Sequence, residues 1–452
     1  MSLVYGIKDK PGFGKTFLFA IQQLLAIMAA TIAVPAIVGN GLSASAALFG
    51  AGVGTFVYLL FTKSSSPVFL GSSFAFIGSM MSAFGGAASM QIGYWGLIIG
   101  ALMAGLVYVI IAIIVKFCGV KWIDILMPPV IIGPTVSIIG LSLSANAVGD
   151  LLKSSVEGGS TYVALICGLV TLAVTMLCST YGKKIGKLIP FIIGILAGYL
   201  LASIFAIIGS VANIPSLIVI NYGALKSLDF TTLSGYLALP KFTFALGGIE
   251  GLKGITGSYL LTIFAAYVPV AFVVFAEHLA DHKNLSAIIG KDLLKEPGLT
   301  RTLLGDGVGT MVSTIFGGCP NTTYGESIGC VAITKNASTI TIWGCSILCV
   351  VFSLISPLVA FLETIPSCVM GGVCIALYGF IAVSGFKMFQ KVDLNKNRNL
   401  FVASVIFITG VGGMVVSFGK VEIRTVACAL ILGILTNVML SKEKDEDAES
   451  QN

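Results

Sequence analysis

Charge is scarce in this chain. Only 10% of the 452 residues are Asp, Glu, Lys or Arg, and 56% are hydrophobic, whereas soluble domains carry about 25% charged residues. This excludes a soluble globular protein, and no long polar stretch remains from which a second, soluble domain could fold. The ten cysteines include no CxxC pair and mostly sit singly in apolar segments. They read as small buried hydrophobes rather than metal ligands or disulfides. No nucleophile–base pair, metal-ligand spacing or phosphate-cradling loop is present, so an enzyme is disfavoured and no cofactor is expected. The formal charge of +6 is dispersed through loops and forms no patch for nucleic acid.

What the chain has in abundance is long apolar runs. Crossing a bilayer as a helix takes about 20 apolar residues. Such runs lie near 17–37, 45–62, 69–84, 93–117, 123–146, 162–180 and 187–209, then near 257–278, 303–316, 319–334, 339–356, 367–382, 399–416 and 424–440. Lys8, Lys10 and Lys15 precede the first run, which continues past Val34. That is longer than the roughly 7–15 residues of a signal-peptide core, so an uncleaved first span is expected. With the N-terminus inside, only Lys153, Lys226, Lys241, Lys253, Lys420 and Arg424 of the 26 basic residues fall outside, the bias of the positive-inside rule. Both termini are therefore expected in the cytoplasm. The segment after Ser441, with Lys442, Glu443, Lys444, Asp445, Glu446, Asp447 and Glu449, reads as a charged, disordered tail.

Seven runs, a long outer loop and seven more runs imply a duplicated unit. An odd number of spans per unit inverts the second copy, the arrangement typical of secondary transporters, whose substrates sit near the midplane between broken helices. The expected fold is an all-α polytopic membrane protein of about 14 spans in two inverted seven-span repeats. Two runs look broken at equivalent places. The tenth, Phe316–Lys335, opens with Gly317, Gly318 and Pro320 and continues through Asn321, Thr322, Thr323, Tyr324, Gly325, Glu326 and Ser327. The third begins at Pro67 and passes through Gly71, Ser72 and Ser73 to Phe74. Non-helical backbone at membrane depth is tolerated only where protein or a watery cavity satisfies its polar groups, so short extended segments followed by half-helices are expected in spans three and ten.

Few carboxylates fall within these runs. Glu277 closes the eighth, Asp281 follows one helical turn later, and Glu326 opens the half-helix after Gly325. Ionisable groups at this depth are functional candidates by default, and positions i and i+4 share a helix face. Carboxylates that crowd one another away from water hold protons more readily, so at least one can exchange a proton near neutral pH. The alternative for Asp281 is a headgroup-level position beside His278, His282 and Lys283. Freed N–H groups near Phe74 and Gly325 add donors to these acceptors, and Phe74 and Tyr324 can cover a planar ring. A nucleobase has that chemistry; a lipid or simple inorganic anion does not.

These residues carry a family resemblance. Cys319–Lys335, AEHLADH at 276–282, KDLLKEPGLTR at 291–301, GSSFAF at 71–76 and MGGVCIALYGFIAVSG at 370–385 resemble the nucleobase–ascorbate transporter family, or nucleobase:cation symporter-2 family, and within it the bacterial uracil permeases. The resemblance spans nearly the whole chain. It implies a core domain from 1–120 (spans one to four) and 257–360 (spans eight to eleven), a gate domain from 121–212 (spans five to seven) and 361–440 (spans twelve to fourteen), an outer loop at 213–256 and a tail at 441–452. It implies that Glu277 and Glu326 hydrogen-bond the base, that Phe74 and Gly325 donate backbone N–H groups, and that Tyr324 lies alongside. Tyr378 would approach from the gate side, and Asp281, with Glu277, would couple a proton.

Two positions depart from the family pattern. Ser327 stands where an Asn follows the Gln or Glu, and Gln22-Gln23 replaces a Gln-His pair in span one. The expectation is a secondary active transporter in the cytoplasmic membrane, importing uracil with H⁺ rather than Na⁺ by elevator-like movement of core against gate, as a homodimer. The alternatives are a xanthine or other purine permease of the same family, and an anion transporter or channel on the same fold.

Overall fold

The computed structural model describes residues 3–441 other than 184, 391 and 419–420; the charged tail at 442–452 lies outside the described residues. With no water in hydrocarbon to satisfy the backbone, apolar runs form helices. The first half comprises α1 (Phe13–Val38), α2 (Ala44–Phe61), β1 (Leu70–Ser72), a 3₁₀ turn at Phe74–Phe76, α3 (Ile77–Gly85), α4 (Met90–Cys118), α5 (Lys121–Leu126), α6 (Pro129–Ser142), α7 (Ser144–Leu151), α8 (Thr161–Tyr181), α9 (Ile185–Leu188) and α10 (Pro190–Val211). Next come α11 (Gly223–Lys226) and α12 (Thr243–Lys253). The second half comprises α13 (Gly257–Ile289), α14 (Leu299–Gly317), β2 (Asn321–Thr323), α15 (Gly325–Thr334), α16 (Thr339–Leu354), α17 (Ser356–Glu363), α18 (Ser367–Phe389), α19 (Asn397–Val411), β3 (Val416–Phe418), β4 (Val421–Ile423) and α20 (Thr425–Met439). Among the described residues, eight helical stretches are long and apolar enough to cross a membrane: α1, α2, α4, Pro129–Leu151, α8, α10, α13 and α18.

Three expectations need correcting. Helix α13 runs on to Ile289, so Glu277 lies inside it rather than closing it; Leu279, Ala280, Lys283, Leu285 and Ala287 favour helix, no Gly or Pro interrupts them, and the helix stops only at Gly290, in the left-handed conformation. His278 and His282 do not sit at a solvated surface but are fully buried. The stretch 213–256 is not simply a loop, since α12 packs on α4 and α14.

Packing divides the helices into two groups. In one, α2 packs on α14, α16 and α1, while α4 packs on α3, α13 and α14. In the other, α18 packs on α6, α7, α8 and α10, and α19 and α20 pack on α6 and on each other. Small residues set the spacing, as they do wherever membrane helices approach closely. A Cβ on Gly54 of α2 would lie 2.9 Å from Asn321 Nδ2 and 3.0 Å from the Gly309 carbonyl. The groups meet where α13 touches α6 and α20, and where α1 touches α10 and α18.

The two broken segments meet between them. Gly318, at φ 72°, ends α14, and Pro320 follows. Strand β2 then pairs antiparallel with β1, in the register Leu70–Thr323, Gly71–Thr322, Ser72–Asn321. Flanking bonds extend the pair: Ser73 N donates to the Pro320 carbonyl at 2.8 Å, and Tyr324 N to that of Phe69 at 3.2 Å. Each strand leads directly into a helical segment, at Phe74 and at Gly325.

Candidate functional site

The paired strands form one end of a cavity of about 290 Å³. Phe74, Glu277, Asp281, Tyr324, Gly325 and Glu326 line it from one helix group; Val136, Phe191, Phe380 and Ser384 line it from the other. Its inner end is buried at Phe74, and it runs to a rim where Lys187 and Asn284 are exposed. Tyr378 is not on the wall. Its ring packs edge-on against Phe74, centroids 5.4 Å apart, one layer behind the surface.

Each wall has a local cause. Glu277 and Asp281 share a face of α13, one turn apart. Gly325 and Glu326 open α15. The first N–H groups of a helix have no partner within it, so the entry of α15 and the turn at Phe74 present donors at the same end of the cavity as the carboxylates. The N-terminal dipole of α15 favours a negative group there. No space-filling atom lies within 4 Å of where a Gly325 Cβ would be, so this backbone is open to a ligand. Among the described residues, no basic side chain forms an ion pair with Glu277, Asp281 or Glu326.

The site is braced from behind. Tyr324 Oη donates to the Ser72 carbonyl at 2.8 Å. Thr55 of α2 holds Leu70 of β1, accepting from its N–H at 2.9 Å and donating to its carbonyl at 3.2 Å. Thr310 of α14 donates to the Asn321 carbonyl at 2.6 Å. The far end of α15 is strapped by the segment ahead of α1: Val4 N donates to the Lys335 carbonyl at 2.8 Å, and Ala337 N to that of Tyr5 at 2.9 Å. The two departures from the family pattern prove to be one contact. Gln23 Nε2 donates to Ser327 Oγ, which also accepts from Phe69 N at 3.2 Å. A single hydroxyl thus joins α1, the residue ahead of β1, and α15.

Several residues went unread in the sequence. Thr323 donates to Asp281 Oδ2 at 2.6 Å, a contact that only the strand pairing creates. On the other side of α13, His278 Nδ1 lies 2.7 Å from Asp306 Oδ2 and its Nε2 3.0 Å from Thr302 Oγ1, both on α14. His282 Nδ1 faces the His278 carbonyl at 2.8 Å, and its Nε2 lies 2.8 Å from Tyr58 Oη on α2. One step of about 100° separates these histidines from the carboxylates, so one helix serves cavity and core at once. Asp306 carries the same signal as Glu277, a carboxylate inside an apolar run. The KDLLKEPGLTR stretch lies away from the cavity. Its partly buried Lys291 and exposed Glu296 pair at 3.0 Å, which holds the Glu296 carboxyl below its usual range and contributes little to stability.

Comparisons with known proteins bear on the family and the fold. A family model described as Permease family (Xan_ur_permease) matches residues 14–418. The chain is similar to a uracil permease of Bacillus subtilis (strain 168), with 37% identity covering 98% of this chain and 97% of that protein. It is 36% identical to a uracil permease of Escherichia coli (strain K12), over 98% of this chain and 97% of that one. Its fold is similar to the transmembrane domain of the cyanobacterial bicarbonate transporter BicA, with TM-score 0.62 and 15% identity over 95% of this chain and 99% of that one. It is also similar to SLC26A9, with TM-score 0.65 and 12% identity over 94% and 64%. At such low identity, these two likenesses concern fold alone.

Proposed function

The chain belongs to the Permease family, a family of transporters and not enzymes, and from that premise we propose that it imports uracil across the cytoplasmic membrane together with a proton. The observation that carries this reading is a cavity lined together by Glu277, Glu326 and two helical entries. Uracil presents two ring N–H donors and two carbonyl acceptors. Glu277 and Glu326 accept from the former, the backbone N–H groups at Phe74 and Gly325 donate to the latter, and Phe74 and Tyr324 flank the ring. A cavity of about 290 Å³ falls at the small end of ligand pockets, which begin at about 300 Å³, and has room for one nucleobase. The relatives named as uracil permeases support the same ligand. Carboxylates on the wall oppose an anionic substrate, despite the fold shared with a bicarbonate transporter.

The rest of the reading follows from this. Fourteen spans in two inverted repeats are supported by the antiparallel strand pair, each strand feeding a helical segment at the equivalent point of its half. The helix group built on α2 and α14 is the core and that built on α6 and α18 the gate, and transport is elevator-like sliding of one against the other. Tyr378, behind Phe74, belongs to the gate side of that sliding surface. With both termini cytoplasmic, the rim at Lys187 and Asn284 opens inward. Asp281 carries the coupled proton, Na⁺ is not the driver, and the protein works as a homodimer through the gate. The test is competition: uptake of labelled uracil into proteoliposomes against excess unlabelled bases. Competition by uracil and its 5-substituted analogues but not by xanthine or other purines is expected; stronger competition by xanthine would overturn the assignment in favour of a purine permease.

A further inference from the structure

The strand pair that presents the N–H donors is also in direct contact with a cavity carboxylate. Thr323, the last residue of β2, is fully buried and lies opposite Leu70 in the register. The next residue, Tyr324, donates its N–H to the Phe69 carbonyl at 3.2 Å, and Thr55 holds Leu70 from behind, so Thr323 has little freedom to move away. Its hydroxyl donates to Asp281 Oδ2 at 2.6 Å. Among the described residues, its neighbour Thr322 has a buried hydroxyl without a hydrogen-bond partner, as does Ser73 just beyond the other strand. Reaching a carboxylate is thus particular to Thr323. Two residues further on, Gly325 opens α15.

We propose that Thr323 is the positioning residue for coupling: its hydroxyl ties the protonation of Asp281 on α13 to the strand pair that holds the base. This rests on the reading in which Asp281 carries the proton. A donor bonded to a carboxylate favours the charged form. When Asp281 takes up a proton, the bond loses its charge assistance, and the carboxyl hydrogen competes for the same Thr323 oxygen. The strand pair therefore senses the proton through one contact. The other groups that act on Asp281 are acidic or neutral. Glu277 lies on its own helix, Glu326 on α15 and Asp306 on α14, with the phenols of Tyr58 on α2 and Tyr108 on α4. His278 and His282 turn into the core, and Lys187 of α9 stands at the exposed rim of the same cavity. None of these supplies the donor that Thr323 does.

The test is uptake of labelled uracil into proteoliposomes as a function of external pH, with parent, Thr323→Val and Thr323→Ser proteins. Uptake by a proton symporter falls as pH rises past the point where the coupling group keeps its proton. Without the hydroxyl, the charged form loses its donor, so the fall in Thr323→Val should move to higher pH by about one unit or more, one unit corresponding to a tenfold change in proton affinity. Thr323→Ser, which keeps the hydroxyl, should follow the parent. A parental profile in Thr323→Val overturns the proposal, and so does an equal shift in Thr323→Ser, which would mean packing rather than the hydroxyl. Should the valine variant not fold, as judged by uracil binding in detergent, Thr323→Ala takes its place under the same criteria. Asp281→Asn separates the two levels. If it still accumulates uracil on a pH gradient alone, the coupling role of Asp281 fails and the proposal with it. If it does not, while Thr323→Val keeps the parental profile, only the proposal fails.

Discussion

Glu326 stands at the entry of α15 with its carboxylate in the cavity and no cationic partner among the described residues. A carboxylate in that position can accept a hydrogen bond from a ligand, as the proposed function requires. Glu326→Gln should retain shape and insertion while replacing a charged acceptor by a neutral one; hydrogen bonds to charged groups contribute about 1.5–3 kcal/mol, or roughly 10- to 150-fold in affinity. Isothermal titration of uracil into purified variant and parent measures this directly, and an unchanged affinity would remove Glu326 from the site. At this scale the carboxylates themselves were legible, because charge inside an apolar run stands out in any sequence. Their partners were not. Thr323 is 42 positions from Asp281 and Gln23 is 304 from Ser327, and hydroxyls and amides of these kinds are common enough to carry no signal until the chain is folded. Asp306 was legible by the same rule as Glu277, but its histidine partner was not, because a histidine near a run's end looks alike whether it faces headgroups or core.

The element on which the site depends is the three-residue strand pair. Gly71 of β1 has the Tyr324 ring where a Cβ would be, so only glycine lets the two strands close while Tyr324 reaches the Ser72 carbonyl. Gly71→Val should push the ring aside and spread the pair. We expect uracil binding to be lost together with a lower melting temperature in detergent, since overpacking a close contact costs about 1–3 kcal/mol. Normal binding by Gly71→Val would mean that the pair does not position the N–H donors. The broken character of these two segments could be read from proline, glycine and small polar residues inside apolar runs. That they pair with each other could not, because two three-residue strands give no alternation long enough to specify a register. The helix of 213–256 was missed for a related reason: α12 is short and glycine-rich, and its packing on α4 stabilises it more than its own propensity does.

At the scale of the whole molecule, the cavity belongs to neither helix group alone but to their junction. Polar contacts across that junction must break if one group slides against the other. Arg424, at the start of α20, donates from Nε to Ser82 Oγ of α3 at 2.5 Å, joining the two groups away from the cavity. Introducing cysteines at 82 and 424 in a background whose native cysteines are replaced, then cross-linking them, should stop uptake while leaving uracil binding within a few-fold of the parent, and reduction should restore transport. Undiminished uptake by the cross-linked protein would show that the groups do not move apart there. The apolar runs themselves carried no division into groups, which entered only as what the family resemblance implies, because which helix packs on which depends on small-residue contacts such as Gly54 with Gly309 that composition does not locate. The central claim is that a base and a proton cross together through this one cavity, and the most direct measurement is accumulation of labelled uracil in proteoliposomes under an imposed gradient. With an inward proton gradient and no Na⁺, uracil should rise inside above its external concentration and fall back when a protonophore is added. Accumulation that requires a Na⁺ gradient, or mere equilibration under both, would contradict it.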